Sequence, residues 1–165
     1  MTAADLYLDD VRVQFRKLKA LAEDALVQVT DDELVATLDA ESNSVAVIMK
    51  HMAGNLRSRF TDFLTTDGEK PNRNRDGEFV IEGNPGRAAI MADWNAGWIR
   101  LFATLDSLQP DDLLKEVQVR GESLPALTQL NRQLAHHAGH VGQIVFLAKH
   151  FRVADWRTLS IPRKR

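Results

Sequence analysis

Apolar residues recur at helical spacing along four long stretches of this chain, and each stretch predicts one helix. The first, residues 3–29, places Leu8, Val11, Phe15, Leu18, Leu21, Ala22, Ala25 and Val29 on one stripe. Thr30-Asp31-Asp32-Glu33-Leu34 follows as the cap of a short helical turn, with acidic residues suited to its first turn. A second long helix begins at Asn43 or Ser44, either able to cap it, and runs to about residue 64. Its stripe is Val45, Ile48, Met49, Met52, Leu56 and Phe63. The third has Asn84 as cap and Pro85 at its first position, carries Ile90, Met91, Trp94, Trp98, Leu101, Phe102 and Leu105, and stops before Pro110. Residues 111–114 can add one more turn. The fourth spans residues 125–151, with Leu127, Leu130, Leu134, Val141, Val145 and Ala148 facing inward.

Between these helices the pattern changes twice. Residues 65–84 hold Gly, Pro, Asn and alternating charge with no stripe, which predicts a loop of unusual length for a compact domain. Its arginines, Arg73 and Arg75, and the neighbouring Arg57 and Arg59, offer contacts for an anionic group; the plain alternative is a solvated connector. Residues 117–124 alternate around Gly121 and predict a small β-hairpin before the fourth helix. The tail from Val153, with Trp156, should lie over the surface. The expectation is an all-α four-helix bundle forming one domain over residues 1–165. There is no internal repeat and no low-complexity segment.

Composition narrows the function classes. At 44% apolar and 27% charged, the 165 residues are those of an ordinary globular domain. A net charge of -2 gives the whole chain no electrostatic case for nucleic acid, and the basic residues 162–165 read as a solvated tail. No apolar run reaches the roughly 18 residues of a membrane span, and no secretory signal is visible. There is no cysteine. That excludes disulfides and thiolate chemistry of the chain's own, and fits a cytoplasmic protein.

Three of the five histidines lie within QLAHHAGHVGQI, residues 133–144. On one helix, side chains three or four apart have Cβ atoms about 5–6 Å apart, close enough for two imidazoles to share a metal. On the helical wheel His140 lies about 100° and His136 about 140° from the apolar stripe, while His137 lies near 40°. His136 and His140 therefore share a flank, and His137 reads as a packing histidine. His51, on the second helix, lies about 100° from Met52, on a polar flank. A site of His51, His136 and His140 would occupy the groove where those flanks meet; the alternative is that flank histidines are solvated or bonded to carboxylates. Three neutral imidazoles with open positions match a catalytic class of zinc site, although nickel, iron or manganese would also bind. Asn55 and Gln143 stand where they can orient a ligand or water. His150 suits the helix C-terminus, and the pair Trp94 and Trp98 reads as core.

SVAVIMKHMAGNLRSRFTDFLTTDGEKPNRNRDGEF, VQVRGESL and QLAHHAGHVGQIVFLAK together resemble the DinB/YfiT-like superfamily of metalloenzymes, and within it the DUF1572 group. The resemblance implies an up-down-down-up bundle and a metal held by one histidine of the second helix and an HxxxH pair of the fourth, here His51, His136 and His140. It also implies a homodimer. His137 and Gly139 stand where that resemblance leads to aromatic residues, which leaves open whether His137 replaces His136 as a ligand. Superfamily enzymes that use low-molecular-weight thiols imply an S-transferase whose thiol Arg57 and Arg59 could recognise. Metal-assisted hydrolysis is a second expectation, although HHAGH lacks the glutamate of an HExxH peptidase. A third is a non-catalytic, stress-related binding or dimerisation module with no resident metal.

Overall fold

The computed structural model describes residues 1–83 and 85–161. The chain is mostly helical, with one two-stranded antiparallel sheet. Helix α1 is Ala3–Leu26, α2 Asp31–Val35, α3 Val45–Phe60, α4 Gly86–Ser107 and α5 Ala126–Arg152. Strands β1, Glu116–Val119, and β2, Glu122–Pro125, form the hairpin. Among the described residues, no helix is long and apolar enough to cross a membrane. Asn84, expected to cap α4, and the basic residues 162–165 lie outside the described residues; Pro85 itself occupies the cap position of α4.

The start signals are read out in the structure. Thr2 with Asp5 and Thr30 with Glu33 form capping boxes on α1 and α2. Ser44 Oγ accepts the amide of Val47 at the start of α3. The apolar stripes of α1, α3 and α4 meet in one core around Phe15, Met49, Met52, Trp94 and Trp98, all fully buried. Gly97 of α4 faces Ala53 of α3: a Cβ at 97 would lie 2.9 Å from the Ala53 Cα, so the two backbones touch there.

Three expectations are corrected. Helix α3 ends at Phe60, not near residue 64, because Thr61 turns extended and Asp62 adopts φ 49°. The Thr61 hydroxyl satisfies the Arg57 carbonyl and the Thr104 hydroxyl that of Phe60, so the frayed end has its partners. The buried face of α5 is rotated from the expected stripe. Leu127, Leu134 and Val145 are half-buried at its edges, while Gln129 and Gln133 lie inside it beside His137, the packing histidine expected there. Hydropathy cannot see a buried face that includes two glutamines.

The third correction concerns residues 61–83, which are not a solvated connector. They fold back across α3 and contain a 3-10 turn, Asp76–Phe79. Ser58 Oγ donates to the Gly68 carbonyl and accepts the amide of Lys70. The Asp67 carboxylate accepts the amides of Arg120 and Gly121 at the hairpin turn, and Gly68 N donates to the Gln118 carbonyl. Arg120 and Gly121 both have positive φ, the twist a two-residue hairpin turn requires. Covered on this side too, α3 is buried nearly all round.

Candidate metal centre

Helix α3 supplies His51, and α5 supplies His136 and His140 one turn apart. Their ring centroids are 5.4 Å (His51–His136), 5.0 Å (His51–His140) and 4.5 Å (His136–His140) apart. One nitrogen from each ring falls within a set whose members all lie within 4.8 Å of one another. Donors around a tetrahedral ion with bonds of 2.0–2.1 Å are about 3.4 Å apart, a difference that side-chain rotation can close.

The hydrogen bonds on the rings decide which nitrogens are available. His51 Nδ1–H donates to Glu78 Oε2 at 2.9 Å, and His140 Nδ1–H donates to Gln143 Oε1 at 2.8 Å. Each bond fixes the tautomer that leaves Nε2 as a lone pair. His136 Nε2 is buried without a hydrogen-bond partner. Such an orphaned nitrogen beside two others turned to the same tautomer fits a metal site. His136 has its pKa pushed down to about 4, first by burial and then by the charges of His140, His51, Arg59 and Arg73. Burial likewise lowers that of His140. Both rings are therefore neutral near pH 7, the form that ligates.

Behind His51 lies a line of ion pairs that the sequence pattern did not reveal. Arg73 grips Glu78 with two bonds, Nε to Oε1 at 2.8 Å and Nη2 to Oε2 at 2.9 Å. Arg73 also approaches Glu69, which accepts from Arg59 Nη2 at 3.0 Å and Arg120 Nε at 3.1 Å. Burial alone would raise the pKa of Glu78, but the bonds from Arg73 and His51 more than offset it and hold the carboxyl below its usual range. Phe79 lies against the His51 ring, centroid to centroid 4.9 Å, and Arg75 sits over Phe79. His51 is thus buried, not on an open polar flank, because residues 73–79 roof it.

One signal could have exposed Glu78. Gly54, three residues after His51 in the middle of a helix, costs about 1 kcal/mol relative to alanine and calls for a reason. A Cβ there would lie 2.6 Å from Glu78 Cδ. The glycine makes room for the carboxylate that orients the histidine.

The remaining candidates separate. His137 turns away into the core between Phe15 and Trp98, wholly buried, with Nδ1–H on the Gln133 carbonyl at 2.8 Å; it is not one of the clustered donors. Arg59 and Asn55 line a groove of about 310 Å³ beside His51 and His136. Arg57 does not join them. It pairs with Asp93 and lines a separate cavity of about 700 Å³ on the other side of Glu78. Trp94 and Trp98 are core, and His150 is exposed near the end of α5.

A family model described as "Protein of unknown function (DUF1572)" matches residues 2–165. No curated protein and no solved structure matches the chain.

Proposed function

The chain belongs to the DUF1572 family, and from that premise we propose that it is a metal-dependent enzyme acting with a low-molecular-weight thiol as an S-transferase. In this reading it has the up-down-down-up four-helix bundle of the DinB-like fold, works in the cytoplasm and forms a homodimer. His51, His136 and His140 would hold a divalent transition metal: zinc, nickel, iron or manganese. The observation that carries the reading is the clustering of three ring nitrogens within 4.8 Å, with the second nitrogen of two rings tied to Glu78 and Gln143.

Bound there, the metal would supply the Lewis acidity that keeps a thiol as thiolate near pH 7. Everything else falls to the chain. Glu78, held ionised by Arg73, keeps the proton of His51 on Nδ1; Gln143 does the same for His140. Phe79 and the 3-10 turn keep water off the far side of His51. Arg59 lines the groove where a cofactor carboxylate would lie, whereas Arg57 would touch only a ligand long enough to reach the second cavity. Hydrolysis is the weaker reading. The neighbouring carboxylates, Glu78 and Glu69, are tied to arginines and so are poor general bases.

The test is the metal content of protein purified without an affinity tag, beside His51→Ala, His136→Ala, His137→Ala and His140→Ala. About one equivalent in the wild type and in His137→Ala, with loss in the other three, is the expected pattern. Below about 0.1 equivalents in the wild type, with no rise in melting temperature on adding zinc or nickel, the non-catalytic module is the better description. Calorimetric titration of the loaded protein with several thiols then tests the transferase step; equal silence from all of them removes it.

A further inference from the structure

The groove next to the histidines has a one-sided charge. Its lining includes Arg59, Arg73, Arg75, Arg120 and Arg132, and no aspartate or glutamate. Three different parts of the chain deliver these side chains: α3, the segment that folds back over it, and the hairpin with the start of α5. The two buried arginines, Arg59 and Arg73, are balanced by Glu69 and Glu78. Arg120 leans on the same Glu69 through its side chain, while the Asp67 carboxylate accepts its backbone amide. Arg75 and Arg132 stand half-exposed at the rim, with Asp76 and Glu122 as solvated partners. Surface pairs of that kind hold a side chain loosely and are readily exchanged.

A second observation points to a ligand. Arg59 is 7% exposed, and its Nη1 has no hydrogen-bond partner. A buried guanidinium nitrogen left in that state is costly unless something not belonging to the chain accepts from it. Asn55 Oδ1 and Gln133 Oε1, also in the lining, are buried acceptors without donors. The groove therefore asks for negative oxygen at Arg59 and a hydroxyl or N–H group beside it.

We propose that this groove is the subsite for a small organic oxyanion, a phosphate or carboxylate with at least two negative charges, held by Arg59, Arg120 and Arg132 beside the three histidines. A groove of about 310 Å³ admits a small molecule and no more. Planar guanidinium forks match both kinds of oxyanion in bidentate fashion. The inference rests on the metal reading for the reaction it would serve, because it names the class of molecule presented to that site. The anion subsite itself can be tested without the metal.

The experiment is calorimetric titration of the metal-free and zinc-loaded protein with inorganic phosphate and, separately, malonate, at low and moderate salt. Wild type is compared with the double variant Arg120→Gln/Arg132→Gln, whose sites are exposed enough to leave the fold intact, and with Arg100→Gln on the outer face of α4. The expected result is binding of at least one anion that weakens with salt. The double variant should lose at least about fivefold in affinity, while zinc content and the Arg100→Gln titration stay as in wild type. Stronger phosphate binding identifies a phosphate ester as the ligand class, and stronger malonate binding a carboxylate. Silence toward both anions in both states, or a smaller loss in the double variant, overturns the proposal. If the protein takes up no zinc yet binds the anion with this arginine dependence, the metal reading fails and the oxyanion subsite stands. Zinc uptake without anion binding gives the reverse.

Discussion

His137 separates two roles that neighbouring histidines play on one helix. Its ring is wholly buried against Phe15 and Trp98, and its Nε2 has no partner. Burial pushes its pKa down to about 3, far below the ordinary value of about 6.5. The sign follows from proton counting. Between those values the unfolded chain binds a proton that the folded chain refuses, so stability is complete above about pH 6.5 and is lost as pH falls toward 3. One such proton is worth about 1.4 kcal/mol per pH unit. His137→Phe should fill the same space without a titrating nitrogen. Measured by urea unfolding of metal-free protein, its stability loss between pH 7 and pH 5 should be about 2 kcal/mol smaller than that of wild type; an identical loss would show the buried ring is not what titrates. Glu78 is the opposite kind of residue, an acid whose charge the site uses. Glu78→Gln keeps the shape but removes the charge and leaves one acceptor oxygen where His51 and Arg73 together use two, so one of them faces an NH2 donor. Metal affinity, read by competition with a chelator, should fall about 10–100-fold.

At the scale of elements, α3 is where composition and environment disagree most. Its apolar stripe was legible from Val45, Ile48, Met49, Met52 and Leu56, and all of them are buried. The opposite side is also covered, by residues 61–83, and there the sequence shows only a glycine where a helix would favour alanine. Helix propensity and packing make opposite predictions for Gly54→Ala. Propensity alone would stabilise α3 by about 1 kcal/mol. The new methyl would collide with the Glu78 carboxyl, part His51 from its acceptor and unseat Arg73. Overpacking of that kind costs about 1–3 kcal/mol, and loss of the buried pairing adds to it. Net destabilisation in urea, together with weaker metal binding, is the expected result. A more stable variant with unchanged metal affinity would mean the carboxylate does not lean on the helix.

Across the whole molecule, what was legible is what periodicity encodes. Four long helices, the hairpin, the buried tryptophans and the shared flank of His136 and His140 follow from spacing along a helix or strand. That His51 meets this pair does not follow from spacing, which only puts it on a flank able to reach them. Illegible were the contacts made by residues 61–83, because a segment without periodicity acquires its conformation from whatever it lies on. Glu69, Arg73 and Glu78 read as loop charges in a list, yet they surround the candidate centre. The tie that sets their position is Asp67. Its carboxylate accepts the amides of Glu69, Arg120 and Gly121 at 2.7–2.9 Å, and those backbone bonds hold its pKa below the ordinary range. The crossing segment and the hairpin turn are thereby fixed to each other, and with them the placement of Arg120 beside Arg59. Asp67→Ala leaves three amides to water and cuts this link, while α3 and α5, which carry the histidines, keep their core contacts. Amides of residues 61–83 and of the hairpin turn should then exchange about 10–100-fold faster, with protection in α3 and α5 nearly unchanged. Metal should still be taken up, because α3 and α5 carry all three histidines, though less tightly, as Glu78 in the loosened segment holds His51 less firmly. Oxyanion binding should weaken with the arginine wall. Uniformly faster exchange across all helices would instead make Asp67 a support of the entire fold, with no separable part in shaping the groove.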